Sequence, residues 1–202
     1  EIMPSLVGSE MCIRDRVKVS LLKSPADFEQ ICRDAGEIRN RDMAKALPVI
    51  KSSAKMHLDH ITRGGDPFEM LEARPLDYGH WSAHKMEAMS DFTLRHCEAV
   101  AIGVAIDTVY SSLELGLDKA VAQQVMQCLC DLGFSLTHQT LEDVETLFRG
   151  LEEFRQHLGG RLTLTMLKAV GQAVDVHSVN RDNMLRAIEA VKAFAAARQH
   201  VR

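Results

Sequence analysis

Arg74 to Gly103 reads RPLDYGHWSAHKMEAMSDFTLRHCEAVAIG, and its histidines decide how the rest of the chain is read. Histidine is the commonest metal ligand, and open zinc sites combine histidines with a carboxylate and an exchangeable position. His80 and His84 stand four apart, so a helix places both on one face. His96 opens an apolar helical stretch, Ala99 to Leu115, that would hold its ring rigidly against the first pair. By itself an H-x-x-x-H spacing fits a solvent-facing pair and a helix-capping histidine as well as a metal site.

The wording around these histidines resembles the dehydroquinate synthase-like sugar-phosphate cyclases. That family carries L-N-x-G-H-x-x-G-H-x-x-E followed by H-G-E-A-V-A-I-G. Leu76, Gly79, His80, His84 and Glu87 match the first block. His96, Glu98, Ala99, Val100, Ala101, Ile102 and Gly103 match the second, and the separation of His80 from His96 fits the family as well. The resemblance implies a mainly α fold, the helical C-terminal domain of these enzymes with a short β-hairpin. It implies His80 and His96 as ligands of Zn2+ (or Co2+), Glu87 and Glu98 as partners that orient their rings, and His84 as a proton-transfer or anion-binding group beside a leaving phosphate. NAD belongs to the family's N-terminal nucleotide-binding domain. No G-x-G-x-x-G follows a strand here, and Gly64-Gly65 and Gly159-Gly160 read as loop and helix-stop glycines, so that domain is expected to be missing.

Composition agrees with one globular domain. The chain has 202 residues, 46% of them apolar, enough for a substantial core. With 24 basic and 28 acidic residues it carries a formal charge of -4, which argues against nucleic acid or a membrane surface as partner. The apolar run Ala99 to Tyr110 is broken by Asp107 and is too short to span a bilayer. The 5 cysteines include no C-x-x-C pair, which suits reduced thiols in a cytoplasmic protein.

Residues 1–16, EIMPSLVGSEMCIRDR, have neither helical periodicity nor the apolar core of a signal peptide. They resemble a translated sequencing-adapter read. We therefore expect a non-native segment at 1–16 that does not pack, and a metal- and substrate-binding domain at 17–202.

Past that point the patterns are helical. Val17–Leu22 reads as the tail of a buried helix, and Ser24-Pro25-Ala26-Asp27 as a helix start with a hydroxyl cap, an N1 proline and a first-turn acid. Pro48 is expected to begin a helix reaching about Ile61. Helices follow at His80–Ala88 and Ala99–Leu115, then from an Asp118 cap to Cys130. Thr140–Leu158 reads as one or two short helices interrupted near Gly150. Arg161–Leu167, RLTLTML, alternates with period two as a strand, with Val174–Val176 as a hairpin arm, and Asn183–Arg198 forms a terminal helix.

The resemblance carries over further positions. The family's E-x-x-K segment, in which Glu is the third metal ligand and Lys contacts substrate, places its lysine at Lys18; Asp15 stands where the Glu belongs, within the segment read as non-native. His57, with Lys55 as the alternative, occupies the place of a lysine near the substrate, although both suit a solvent-facing helix. Glu153-Phe154-Arg155 resembles a D-K-K segment that meets phosphate, so Arg155 is a candidate phosphate ligand, against a plain helix salt bridge to Glu152. Asp77 replaces the family's asparagine, and Ala73 stands where an arginine is usual. Loss of that cation and gain of a carboxylate at Asp77 both disfavour an acidic substrate. The chain thus reads as a fragment of a 3-dehydroquinate synthase-like cyclase, inactive by itself, that eliminates phosphate and closes a carbocycle by an intramolecular aldol step. A sedoheptulose 7-phosphate-type cyclase is the first alternative, and a helical scaffold that has lost catalysis the second. A small-molecule sugar phosphate is the expected ligand, and the resemblance implies a homodimer. A simple zinc hydrolase lacks support, because no Glu follows His80 as in H-E-x-x-H.

Overall fold

A computed structural model describes residues 16–63 and 77–199 of the chain. Residues 16–23 form α1, followed by α2 (Pro25–Arg39), α3 (Met43–Arg63), α4 (His80–Met89), α5 (His96–Glu114) and α6 (Lys119–Asp131). A 3-10 turn (Gln139–Glu142) leads into α7 (Val144–His157), the strands β1 (Leu164–Ala169) and β2 (Gln172–Val176), and α8 (Arg181–Gln199). The described residues are mainly α with an antiparallel hairpin, paired Leu164 with Val176 and Met166 with Val174. Among the described residues no helix is long and apolar enough to cross a membrane.

The organising element is α5. Its residues from Ala99 to Ser111 are buried without interruption, so it is apolar on every side and must be surrounded. It packs against α4, α6, α8 and β1, while α7 closes over the other side of α4 and α2 lies against α3 and α6. The hairpin is tied in by polar bonds: the Gly171 N–H donates to the Leu21 carbonyl of α1 at 2.7 Å, and the Leu167 N–H donates to the Ser111 hydroxyl of α5 at 3.1 Å.

Several helix ends follow local chemistry. The Ser24 hydroxyl accepts from the Asp27 N–H with Pro25 at the first position, and the Asp118 carboxylate caps α6 through Ala120. Two expectations are corrected. The third helix starts at Met43 rather than Pro48, because the Asp42 carboxylate accepts from the Ala44 N–H at 2.8 Å and caps the chain earlier. Pro48 then sits inside the helix, with no N–H to offer the preceding turn. Nor does Gly150 interrupt α7, which is continuous from Val144 to His157. Its glycine is there for proximity: a Cβ on Gly150 would lie 2.7 Å from Lys85 Cβ on α4. Of the amino-terminal segment, residues 1–15, with Asp15 among them, lie outside the described residues; Arg16 opens α1, 3% exposed and ion-paired with Asp27 at 2.5 Å.

Candidate metal centre

The site is made where the N-termini of two helices meet. Gly79, at φ 78°, turns the chain into α4, and its backbone presses on α5 so closely that a Cβ there would lie 2.6 Å from the Val104 nitrogen. His80 is the first residue of α4, and His84 and Glu87 follow on the same helix. His96 is the first residue of α5.

The three rings form a triangle. Centroids lie 5.4 Å apart for His80 and His84, 5.5 Å for His80 and His96, and 5.9 Å for His84 and His96. Two imidazoles sharing a tetrahedral zinc, with Zn–N near 2 Å, hold their centroids roughly 5 Å apart. The donor atoms of His84, Glu87 and His96 also lie within 4.8 Å of one another. The pair expected to bind metal, His80 and His96, and the tighter grouping of His84, Glu87 and His96 therefore share one locus.

Hydrogen bonding sorts the roles within it. Nδ1 of His80 lies 3.2 Å from the Tyr78 carbonyl, and Nδ1 of His96 lies 3.0 and 3.1 Å from the two Glu87 oxygens. A carbonyl and a carboxylate only accept, so both rings donate through Nδ1, which in the neutral imidazole puts the lone pair on Nε2. That is the arrangement in which outer carboxylates and carbonyls orient metal-binding histidines. The His84 side chain is exposed, and partial desolvation by its neighbours draws it below the ordinary histidine value; the Glu87 charge opposes this, while His96 and His157 add to it. These nitrogen donors fit a borderline ion such as zinc.

Glu87→Gln is accordingly expected to weaken zinc binding about 10- to 100-fold while the fold persists. Competition titration against a chromogenic chelator measures it, and unchanged affinity would remove Glu87 from the site.

The remaining candidates are placed as follows. Lys18 is buried in α1, 1% exposed, and Asp77 is half-buried just before Tyr78. Lys55 is exposed on α3, and the His57 side chain lies outside the described residues. Arg155 donates to both Glu152 oxygens at 2.8 and 2.6 Å and to the Gly160 carbonyl at 2.6 Å, so its guanidinium is engaged in a helix salt bridge. Glu98 accepts from Arg95 at 2.7 Å, three residues before it, and it is Glu87 that contacts the His96 ring.

Sequence reasoning missed the contribution of α7. A cleft of about 180 Å³ beside His84 is lined by Trp81, Lys85, Gly150, Glu153, Phe154 and His157, and Lys85 pairs with Glu153 across it. The signal available was the last-turn histidine of a strongly amphipathic helix, which marks a helix end without saying what it faces.

Comparison with known proteins agrees with this architecture. The family profile described as 3-dehydroquinate synthase C-terminal matches residues 14–155. A 2-epi-valiolone synthase of Stigmatella aurantiaca is 30% identical over 196 residues, which is 92% of this chain and 47% of that protein. A 3-dehydroquinate synthase of Corynebacterium efficiens is 31% identical over 117 residues, 57% of this chain and 32% of the relative. The solved structure of ValA, a 2-epi-5-epi-valiolone synthase from Streptomyces hygroscopicus with NAD+ and Zn2+ bound, superposes with a TM-score of 0.78 at 22% identity. That superposition covers 94% of this chain and 52% of ValA, so the likeness is one of fold. The chain spans about half the length of the Stigmatella relative and of ValA. With the family profile running from the end of the amino-terminal segment through α7, the chain belongs to the 3-dehydroquinate synthase C-terminal family.

Proposed function

We propose that this chain is the metal- and substrate-binding half of a sugar-phosphate cyclase. The observation that carries the reading is the triangle of His80, His84 and His96, with Tyr78 and Glu87 fixing the protons of two of its rings. A bound metal would supply a Lewis acid for a substrate hydroxyl and its ketone, and bound NAD would supply hydride-transfer chemistry. His80 and His96 are the residues that would hold the metal, each through Nε2. His84, kept neutral at neutral pH, accepts and returns a proton where the phosphate leaves. Lys18, Asp77, His57 and Lys55 bind and orient the sugar. Arg155 serves the phosphate only by exchanging Glu152 for it, since the two are already paired.

Substrate choice turns on Asp77. Its carboxylate stands three residues before His80, so a substrate carboxylate brought to the metal meets a like charge. We infer a neutral sugar phosphate, of the sedoheptulose 7-phosphate type, in preference to a ketoheptonate phosphate. At a separation near 4 Å such repulsion is worth about 1 to 4 kcal/mol, roughly fivefold to nearly a thousandfold in relative rate. Phosphate release is to be assayed with both substrates in a chain completed with a nucleotide-binding domain, and the 202-residue chain alone is expected to show no turnover. Asp77→Asn should shift preference toward the acidic sugar by about tenfold. A wild-type preference for the ketoheptonate phosphate would overturn the argument from Asp77.

A further inference from the structure

Asp107 is an acid at the centre of the most apolar helix in the molecule. It lies within the uninterrupted buried run of α5 and is 1% exposed. Burial pushes its carboxyl up to about 7, against the hydrogen bonds from Trp81 and Gly79 that favour the charged form. Such a group lowers stability relative to a well-packed apolar side chain, so its presence calls for a role other than stability.

Its contacts supply one. Oδ2 accepts from the Gly79 backbone N–H at 2.9 Å, and Oδ1 accepts from the Trp81 indole N–H at 2.8 Å. Those two residues are the neighbours of His80 on either side. The next residue of α5 extends the grip, because the Thr108 hydroxyl lies 2.6 Å from the Tyr78 hydroxyl. Tyr78 is also the residue whose carbonyl meets the His80 ring. Residues 78, 79 and 81 are thus each held from α5, and the residue left between them is His80.

We propose that Asp107 is a positioning residue for His80: it clamps the turn that enters α4, so that the His80 ring faces His96 with its proton on Nδ1. The inference rests on the metal-site reading above for its consequence, but the clamp acts on the ring whether or not an ion is present. Both carboxylate oxygens of Asp107 accept from the residues flanking His80. Gly79 leaves room for the clamp, since its backbone lies against α5 with no side chain between them.

The test uses the whole 202-residue chain at pH 8, where the wild-type carboxylate is ionised. Asp107→Asn keeps the volume but offers one acceptor to two N–H donors. Two quantities are read: the ring 15N shifts of His80, assigned by their loss in His80→Ala, and the affinity for Zn2+ alone. Asp107→Asn should move the His80 ring signals toward a mixed tautomer and weaken zinc by about 10- to 100-fold, the usual cost of an outer-sphere partner. Ser111→Ala is the stability control. It removes the bond from the Leu167 N–H and the bond to the Asp107 backbone carbonyl but leaves the Asp107 carboxylate and its two donors in place, so it should lower the melting temperature but leave His80 and zinc unchanged. Should Asp107→Asn fail to fold, Trp81→Phe takes one donor away and leaves the carboxylate. It should shift the His80 signals in the same direction and weaken zinc by roughly threefold to tenfold. Unmoved His80 signals in the folded variants, or the same movement in Ser111→Ala, would overturn the proposal. A wild-type chain that takes up no zinc would instead refute the metal-site reading, and the clamp would be decided by the ring signals.

Discussion

His80→Ala, in a chain completed with a nucleotide-binding domain, should lose both its zinc and its NAD-dependent phosphate release, the latter by about a thousandfold or more. A Lewis acid at the reacting oxygen is worth several kcal/mol, and each 1.4 kcal/mol is roughly tenfold in rate. His96→Ala should behave the same way, because the rings of His80 and His96 are the two whose Nδ1 is committed to an acceptor. His84→Ala should differ in kind: zinc stays bound, and phosphate release falls by about 100- to 10,000-fold, the range of a lost general acid or base. Metal analysis beside the rate assay separates the two groupings at this locus. Zinc retained by His80→Ala and lost by His84→Ala would reassign the ligands to His84, Glu87 and His96, whose donor atoms lie within 4.8 Å of one another. Zinc retained by every single variant would remove the metal from the locus altogether.

What could be read from the sequence was whatever is decided locally. Ser24-Pro25-Asp27 and Asp118 announce helix starts because a cap is satisfied within three residues of itself, and RLTLTML announces a strand by its period. His80, His84 and Glu87 share a face because one helix carries them. The misreadings share a different cause. Pro48 reads as a helix start, but the Asp42 carboxylate caps the helix earlier, and Gly150 reads as a break, but its role depends on α4 lying against α7. Tertiary contact also brings His157 beside His84, and nothing near His157 in the chain says so. Asp107 was half-legible: a charge interrupting an apolar run was visible, but its two partners lie 28 and 26 residues away on another element. The apolar helix after His96 suggests a rigid mount for its ring, but spacing says nothing of how α4 and α5 cross, and the family resemblance supplies the expectation of a shared site.

That crossing is what Gly103→Ala should disrupt. A Cβ built on Gly103 would lie 2.0 Å from the Gly79 carbonyl oxygen, 2.9 Å from its carbonyl carbon and 2.8 Å from the Ser82 hydroxyl. Alanine has no rotamer to turn away, and the nearest obstruction is backbone at the start of α4. The helices must therefore separate by about 1 Å, at a cost expected to reach about 3 kcal/mol or more. For a chain of this size that lowers the melting temperature by about 10 °C. The same displacement carries His80, His84 and Glu87 away from His96, so zinc affinity should fall along with stability. Two other glycines calibrate the result. A Cβ on Gly36, inside α2, meets nothing within 4 Å, so Gly36→Ala should stabilise by up to about 1 kcal/mol through helix propensity. Gly116 has equal space but a φ of 82°, so alanine there should cost about 1 kcal/mol in backbone strain and leave zinc unaffected. Thermal unfolding and zinc titration of the three variants decide the matter. A Gly103→Ala protein that melts and binds zinc like the wild type would mean that α4 and α5 do not meet backbone to backbone, and the ring triangle built on that contact would fall with it.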